Sequence, residues 1–502
     1  MNLCVTFKGG VEDVGSKFKL DLNKEPWFSS DEDGDGRPNE NLALFVGTDD
    51  TKRNVVLGKK TFDDTKTPVM VLERRSKNYE GGLEGHKPND IINIIRTEYG
   101  CDLTYSQAWE SREYAVNEVR GIPENSYGKN TKVLVHDTRS ESGGFYKGMR
   151  KVIVVDGTFL KNKYKGVMLV ATAVDGNSNL YPIAFGIADS ENDSSWEWFF
   201  EQIKVVIRDD KDLSFISDRH VSISKSLEKI YLLSTHGICI HHLIGNVITY
   251  HKGRGVADLV SRASKAYRVA EFEKHFGEIC NISPVTGEYL EDAQVKKWVR
   301  CHFHGYRYDL NTKNAAESIN SALRSPREYS IIPLLDSIRE MLTRWFIEQR
   351  ELSAKQKDPL TVKVENKISR RIGKGKYFKS YRIGRNILQV KANRVDFVVD
   401  LERRTCSCGK FQMGKIPCRH AIKGAFDICT DLYRYADDMY SPTSWREYYE
   451  ETVNPIGIPE NEWGVPDHIE AAKVLPPETR RHPGRQRKRR HETVEDKIRA
   501  SH

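Results

Sequence analysis

Three apolar segments follow one another between residues 151 and 189, and only short polar stretches separate them. They read KVIVVDGTFL, VMLVATAV and YPIAFGIAD, and each is rich enough in apolar residues to form a buried strand. The connecting residues are 161–166 and 175–179, and the second stretch contains the turn pair Asp175-Gly176. Because connections this short join antiparallel neighbours, the sequence predicts three consecutive antiparallel strands.

Helical and strand patterns alternate after these strands. An amphipathic helix begins near Asp193 or Ser194, a strand LSFISD follows, and a helix covers about 222–231. A short strand, HGICI, then leads into the helix HHLIGNVITYH. The order β-β-β-α-β-α-β-α predicts an α/β fold with a mixed sheet of the ribonuclease H-like type.

Changes in pattern divide the 502 residues into further regions. Residues 120–147 read mostly as loop, residues 256–300 are helical by pattern, two more helices lie near 314–324 and 331–352, and residues 381–405 return to a strand pattern. The predicted regions are a short N-terminal β-rich, acidic region (1–75), a helical linker (88–147), the α/β domain (148–352) with a helical insertion (about 250–312), a small β-rich domain (378–430) and a basic disordered tail (476–502).

Two aspartates end strands of the predicted sheet. Asp156 follows VIVV and Asp218 follows FIS, so the two side chains face one edge of the sheet if these strands are parallel neighbours. Glu317 lies in a later helix, NAAESINSAL. Carboxylates from separate elements can hold two Mg²⁺ ions for phosphoryl transfer. The structural alternatives are a turn at Asp156, a helix cap at Asp218 and a capping box at Glu317.

The segment CSCGKFQMGKIPCRH contains four metal-ligating residues within fifteen positions. The start of the chain lacks the apolar core of a signal peptide, so we expect a reducing compartment in which the nine cysteines are free thiols or metal ligands. Four soft ligands that leave no open position predict a structural zinc ion. The ligands would be Cys406, Cys408, Cys418 and His420. The C-x-x-H pair Cys239 and His242 is a weaker candidate, because His242 can also orient a carboxylate or pack in the core.

Positive charge is concentrated in one segment, RRHPGRQRKRR, although the whole chain carries a net charge of only +8. This segment predicts contact with DNA or recognition by nuclear import factors, and a solvated tail is the structural alternative. Its candidate DNA-binding residues are Arg485, Arg487 and Lys488. Near the predicted sheet, Lys161, Lys163, Lys165 and Arg219 are candidates for phosphate contacts, although exposed lysines commonly only keep a surface soluble. No run approaches the ~18 apolar residues of a membrane span, so no membrane partner is expected.

These segments together resemble a Mutator-like (MuDR-type) plant transposase. The stretch from VIVVDGTFL to SSWEWFF carries the resemblance, with SDRHVSI, HGICIHHLIGN, NAAESINSAL and RWFIEQR, and it extends over about residues 90–490. The resemblance implies a ribonuclease H-like MULE domain whose DDE triad, Asp156, Asp218 and Glu317, binds Mg²⁺ or Mn²⁺. It also implies that Cys239 and His242 are auxiliary residues of this domain. The Cys/His cluster is similar to a SWIM-type zinc finger.

The resemblance implies a function and leaves alternatives open. The first hypothesis is a DDE transposase that cuts and joins DNA in the nucleus and acts as a homo-oligomer. The second is a domesticated DNA-binding or transcription-regulating protein without cleavage activity, and the third makes the SWIM finger a protein-interaction module on a catalytically dead remnant. No cysteine lies between Cys4 and Cys101, so the family's usual N-terminal zinc-binding module has no counterpart there.

Overall fold

The structure of the chain is a computed structural model. It describes residues 2–7, 87–100, 102–109, 112, 132–137, 145, 148–162, 165–250, 254–308, 310, 314–392 and 395–450. The chain forms two compact units, one of Met1–Gly9, Glu80–Gly85 and Glu113–His502 and the other of Gly10–Tyr79 and His86–Arg112. The predicted basic tail, and most of the predicted N-terminal region, lie outside the described residues.

The second unit contains helix α1 (Pro88–Tyr99). Proline at the first helical position suits this start, because its missing N–H would have had no partner in the helix. The Asp90 carboxylate accepts a hydrogen bond from the Lys87 backbone N–H at 2.7 Å. The helix ends at Gly100, whose φ of 66° is a left-handed conformation that glycine adopts without strain. All the elements that follow belong to the first unit.

A seven-stranded mixed sheet has the order β1-β2-β5-β4-β3-β6-β7. Its strands are β1 (Asn2–Phe7), β2 (Lys132–Asp137), β3 (Val152–Phe159), β4 (Val167–Val174), β5 (Leu180–Ala188), β6 (Ser214–Ser217) and β7 (Thr235–Ile238). Strands β3, β4 and β5 are antiparallel neighbours, whereas β6 and β7 pair in parallel beside β3. The predicted mixed sheet is therefore confirmed.

Strand β2 is a departure from the prediction, which makes residues 120–147 mostly loop within a helical linker. It pairs antiparallel with β5 and parallel with β1, so the sheet extends two strands beyond the predicted set. The run KVLVHD is short and stands in a stretch rich in glycine, serine and asparagine. Such a run gives a weak local signal, and pairing with β5 decides its conformation.

Helices cover both faces of the sheet. The helices described between residues 193 and 375 are α2 (Asp193–Val206), α3 (Val221–Ile230), α4 (Ile240–Tyr250), α5 (Ala257–Lys265), α6 (Val269–Ile282), α7 (Pro284–Asp292), α8 (Val295–Trp298), α9 (Asn314–Ala322), α10 (Ile331–Lys355) and α11 (Val362–Gly375), and α5 to α8 are not among those that cover the sheet. Val155 and Phe215 pack on one face with α2, α3 and α10, while Val154 and Ile216 pack on the other with α9 and α11. The strands are apolar on both sides because both sides are covered.

Within the range predicted as a helical insertion lie helices α5 to α8, which share an apolar cluster with β7 and α4. Trp298 is fully buried there, and its indole N–H donates to the Leu290 carbonyl at 3.0 Å. This bond satisfies the one polar atom of a large buried side chain. Helix α11 has no counterpart in the sequence prediction.

A second, four-stranded sheet has the order β11-β10-β9-β8. Its strands are β8 (Lys379–Arg382), β9 (Ile387–Ala392), β10 (Val395–Asp400) and β11 (Thr405–Cys406), and the helices α12 (Lys410–Gly414), α13 (Arg419–Asp427) and α14 (Pro442–Tyr449) follow. The prediction of a strand-rich region at residues 381–405 is confirmed, and α14 was not predicted. Among the described helices, none has the length and apolar character needed to cross a membrane.

Candidate functional site

The first candidate site lies where β6 and β7 end, beside the middle of β3. The prediction that Asp156 ends its strand is wrong, because β3 continues to Phe159 and pairs there with β4. Val154 pairs with Ile216 in the parallel β3–β6 register, so Asp156 and Asp218, each two residues further on, stand at level positions. Adjacent strands are about 4.8 Å apart, which is close enough for two carboxylates to share metal ions. Asp156 lies inside β3, so the alternative of a turn at Asp156-Gly157 is wrong.

The β6–β7 register adds a third residue to this row. Ser217 pairs with Ile238, and the next position on each strand is Asp218 and Cys239. The Cys239 backbone N–H donates to the Ser217 carbonyl at 2.8 Å, which holds the two strand ends together. Cys239 is fully buried, and His242 follows in the first turn of α4. The C-x-x-H pair therefore begins beside Asp218.

Glu317 reaches the same side of the sheet on helix α9. This helix packs against β3 and β4, and its Ala315 and Ala316 share an apolar cluster with Val154. One turn after Glu317, the Asn320 amide donates to Asp156 Oδ2 at 2.8 Å. Residues three apart lie on one helix face, so Glu317 is on the face turned toward Asp156. The Asn320 contact gave no signal in the sequence.

Asp218 is held by a hydrogen-bonded chain that sequence reasoning missed. Ser217 Oγ donates to the Asp218 carbonyl at 2.7 Å and lies 2.8 Å from His236 Nε2. Since the Ser217 proton is already donated, His236 Nε2 must carry the proton of this second contact. Burial, with smaller contributions from the positive charges of Lys297 and Arg307, lowers the pKa of His236 to about 3 against the opposing effect of Asp218. The imidazole is therefore neutral near pH 7.

The loop after β6 gives Asp218 a further contact. Its Oδ1 accepts the His220 backbone N–H at 2.9 Å, and His220 is the N-cap residue of α3. Asp218 itself is therefore not the N-cap, although its carboxylate does satisfy one backbone donor at the start of this helix.

The predicted phosphate contacts have different surroundings. Lys161 is half exposed and lies 3.5 Å from a Glu328 carboxylate oxygen, while Lys165 is exposed in the β3–β4 turn with a φ of 62°. The Arg219 guanidinium stacks over the Tyr289 ring at 5.2 Å. Lys163, Arg485, Arg487 and Lys488 lie outside the described residues.

The second candidate site is the Cys/His cluster of the small sheet. Cys406 ends β11, Cys408 lies in the following turn, and Cys418 and His420 flank the start of α13. One ligand atom from each of these residues lies within 4.8 Å of all the others, and all four residues are buried. Gly409, next to Cys408, has a φ of 80° that lets the loop turn tightly.

The distances in this cluster fit a tetrahedral zinc ion. His420 Nδ1 lies 3.6 Å from Cys406 Sγ and 3.9 Å from Cys418 Sγ. Zn–S bonds of about 2.3 Å and Zn–N bonds of about 2.0 Å place such atoms about 3.6 Å apart at the tetrahedral angle. The His420 ring is fixed by Phe397, which stacks on it at 4.0 Å with an angle of 14°.

The three buried thiols shift one another's pKa values. Hydrogen bonds from Cys406 and Cys418 lower the pKa of Cys408, while its bond to Cys408 raises the pKa of Cys406. Burial raises the pKa of Cys418 to about 12. Without an ion the cluster therefore favours a single thiolate. A bound Zn²⁺ would deprotonate every thiol that it coordinates.

The two sites differ in how closely their ligand atoms approach one another. Among the described residues, the Cys/His cluster is the one group in which three or more His, Cys, Asp or Glu side chains place their ligand atoms close enough to bind one metal ion. Asp156, Asp218 and Glu317 do not form such a group. Carboxylates without a bound cation repel one another, and Asn320 already occupies one oxygen of Asp156.

Two family models match parts of this geometry. Residues 152–246 match the MULE transposase domain. Residues 396–423 match the SWIM zinc finger. The MULE match includes Asp156, Asp218, Cys239 and His242 but not Glu317, and the SWIM match includes all four residues of the Cys/His cluster. No curated protein matches the chain. The two domain matches support a relationship to Mutator-like transposases, and the SWIM match together with the cluster indicates zinc.

Proposed function

We propose that this protein is a DDE transposase that cuts and joins DNA with Mg²⁺ or Mn²⁺, and that its central domain has the ribonuclease H-like fold. The observation that carries the proposal is the level position of Asp156 and Asp218 on neighbouring parallel strands. Helix α9 brings Glu317 to the same face of the sheet, one turn before the Asn320 contact to Asp156. The strand order β5-β4-β3-β6-β7, with three antiparallel strands followed by two parallel ones, supports the fold assignment.

In this proposal, Asp156, Asp218 and Glu317 are the residues that hold the divalent ions. The ions would stabilise the charge that develops on the attacking and leaving oxygens of a phosphodiester. The chain itself contributes the rigidity of the site. The bonds from Asn320 and His220 orient the two aspartates, and the Ser217–His236 chain holds the end of β6.

The test is a nicking assay with the full chain. Labelled DNA that carries the sequences flanking the gene is incubated with Mg²⁺, with Mn²⁺ or with EDTA. We expect metal-dependent nicking that Asp156→Asn abolishes. Asp212→Asn is the matched control, because Asp212 precedes β6, the strand beside β3, and pairs there with Lys151 at the opposite end from the carboxylates. Equal nicking by the wild type and Asp156→Asn contradicts the assignment.

The alternative function is a DNA-binding or transcription-regulating protein that does not cleave. One observation favours it: the three carboxylates do not converge in the described residues as the four zinc ligands do. Wild-type protein that binds the labelled DNA but never nicks it, with either metal ion, would establish this alternative.

The proposal includes a cellular setting. The sequence resemblance supports a plant protein of the MuDR type that acts on DNA in the nucleus as a homo-oligomer. The basic segment with Arg485, Arg487 and Lys488 is the proposed nuclear import and DNA-contact segment. A fluorescent fusion of the full chain that stays cytoplasmic would contradict the nuclear assignment.

A further inference from the structure

Arg327 stands beside the carboxylate edge on a tightly held turn. It belongs to the 3₁₀ turn Pro326–Glu328 that follows α9. Its backbone N–H donates to the Leu323 carbonyl at 3.1 Å, and its carbonyl accepts the Lys161 backbone N–H at 2.9 Å. The turn is therefore tied both to the helix that carries Glu317 and to the β3–β4 connection.

The Arg327 side chain lies on the same side of β3 as Asp156. Its Nη1 donates to Thr158 Oγ1 and to the Phe159 carbonyl, the latter at 3.2 Å. Thr158 follows Asp156 by two positions, and alternate residues of a strand share a face. Burial and Arg324 lower the pKa of Arg327, while the negative charges of Asp156 and Glu328 oppose this. The guanidinium remains a cation in any case.

This half-buried cation has no carboxylate within ion-pairing distance among the described residues. Glu328 pairs with Lys161 at 3.5 Å instead. Arg327 Nε is buried and has no hydrogen-bond partner among the described residues. By contrast, the Arg339 guanidinium has its own carboxylate, Asp336, at 2.8 Å. A desolvated guanidinium with free N–H donors is unfavourable unless an anion accepts hydrogen bonds from it.

We propose that Arg327 binds a backbone phosphate of the DNA beside Asp156. The planar guanidinium can present two N–H groups to two phosphate oxygens, which a lysine cannot do. Its contacts to Thr158 and Phe159 use Nη1 and orient the guanidinium before the DNA arrives, and Nη2 is the donor left for a phosphate oxygen. This inference rests on the proposed function, since it takes DNA to be the substrate.

The experiment measures DNA affinity as a function of salt, with the full chain in Ca²⁺ so that binding is followed without cleavage. Each phosphate contact contributes about 0.9 to the slope of log Kd against log salt. We expect Arg327→Gln to reduce the slope by about 0.9 and the affinity roughly tenfold. Arg339→Gln is the matched control and should keep the wild-type slope.

A purely structural Arg327 would give a different result. Arg327→Lys keeps the charge but loses the oriented contacts to Thr158 and Phe159. Under the proposal it binds with nearly the wild-type slope. If the salt slope of Arg327→Lys falls as far as that of Arg327→Gln, or if Arg327→Gln keeps the full slope, Arg327 only holds the β3–β4 turn and the proposal is overturned. Thermal melting of each variant separates loss of folding from loss of binding.

Failure of the proposed function is distinguishable from failure of this inference. Wild-type protein that binds DNA without nicking it in Mg²⁺ or Mn²⁺ contradicts the proposed cleavage activity, yet the salt slopes still decide the role of Arg327. Wild-type protein with no affinity for DNA at low salt overturns both proposals.

Discussion

The zinc cluster and the carboxylate edge are both candidate metal sites, but they are built in opposite ways. The four zinc ligands lie within fifteen residues of one another, and one loop and one helix start bring them together. Asp156, Asp218 and Glu317 come from two strands and a distant helix. The first arrangement depends on local turns, whereas the second depends on sheet register and helix packing.

The zinc cluster and the carboxylate edge differ in whether a bound ion is needed to stabilise the fold around them. The thiols and the imidazole of the zinc cluster are buried, and their ligand atoms converge. Burying such groups without an ion is unfavourable, so we expect this region to need a bound metal ion to fold. The carboxylate edge instead rests on a large apolar core on both faces of the sheet. We therefore expect this edge of the sheet to fold without an ion.

The largest effect should come from removing zinc. Structural zinc ions in small fingers contribute about 10–16 kcal/mol of apparent binding free energy. We expect the full chain to contain about one zinc ion, and Cys408→Ser or chelation to unfold the 378–430 region while the large sheet persists. Zinc analysis and hydrogen exchange measure this outcome.

Cys429→Ser is the matched control for that change, because Cys429 is exposed and lies outside the cluster. Unchanged amide protection of β9, β10 and α13 after complete loss of zinc would contradict the comparison.

The second effect concerns the carboxylate edge. Asp218→Asn should reduce metal-dependent nicking on the order of 10³-fold, as is typical when a preorganised charge-stabilising group is removed. The melting temperature should hardly change, since the Asp218 side chain does not pack in the apolar core. If Asp218→Asn loses nicking and also unfolds, the carboxylate edge, like the zinc cluster, has a structural role.

The third effect is a pH dependence of the free energy of unfolding, caused by His236 near the carboxylate edge. The folded-state pKa of His236 is about 3, against 6.5 for an ordinary histidine. Its neutral form therefore supports the fold fully above about pH 6.5, and this contribution is lost as the pH falls toward 3. At pH 5 the expected loss is about 2 kcal/mol of the free energy of unfolding. Urea unfolding at pH 7 and pH 5 measures it, and His236→Gln should remove this part of the difference.

The smallest effect should come from removing the aromatic ring that stacks on the zinc ligand His420. Phe397 stacks on the ring of His420, and Arg268 lies 5.9 Å from the Phe397 ring centroid. Phe397→Ala should destabilise the zinc-bound finger by about 1 kcal/mol. Tyr381→Ala, at an exposed ring on β8, is the control and should have little effect. Competition with a chromophoric chelator would show whether zinc affinity falls only for Phe397→Ala.

The sequence by itself determined the local features. The run VIVV and its neighbours predicted the antiparallel strands, and the amphipathic pattern after Asn192 predicted helix α2. The C-x-C-x9-C-x-H spacing predicted the zinc cluster, because ligands so close along the chain need only tight turns to meet. Each strand, the helix and the zinc cluster has its own signal within a window of about fifteen residues.

Only the tertiary structure decided the long-range features. The parallel register that sets Asp156 level with Asp218, the bond from Asn320 to Asp156 and the place of His236 behind Ser217 all join residues that are distant in sequence. Strand β2 likewise became a strand through pairing with β5. Such contacts depend on which elements pack together, and the free energy that selects them comes from burial across the whole sheet. A local pattern does not contain that information.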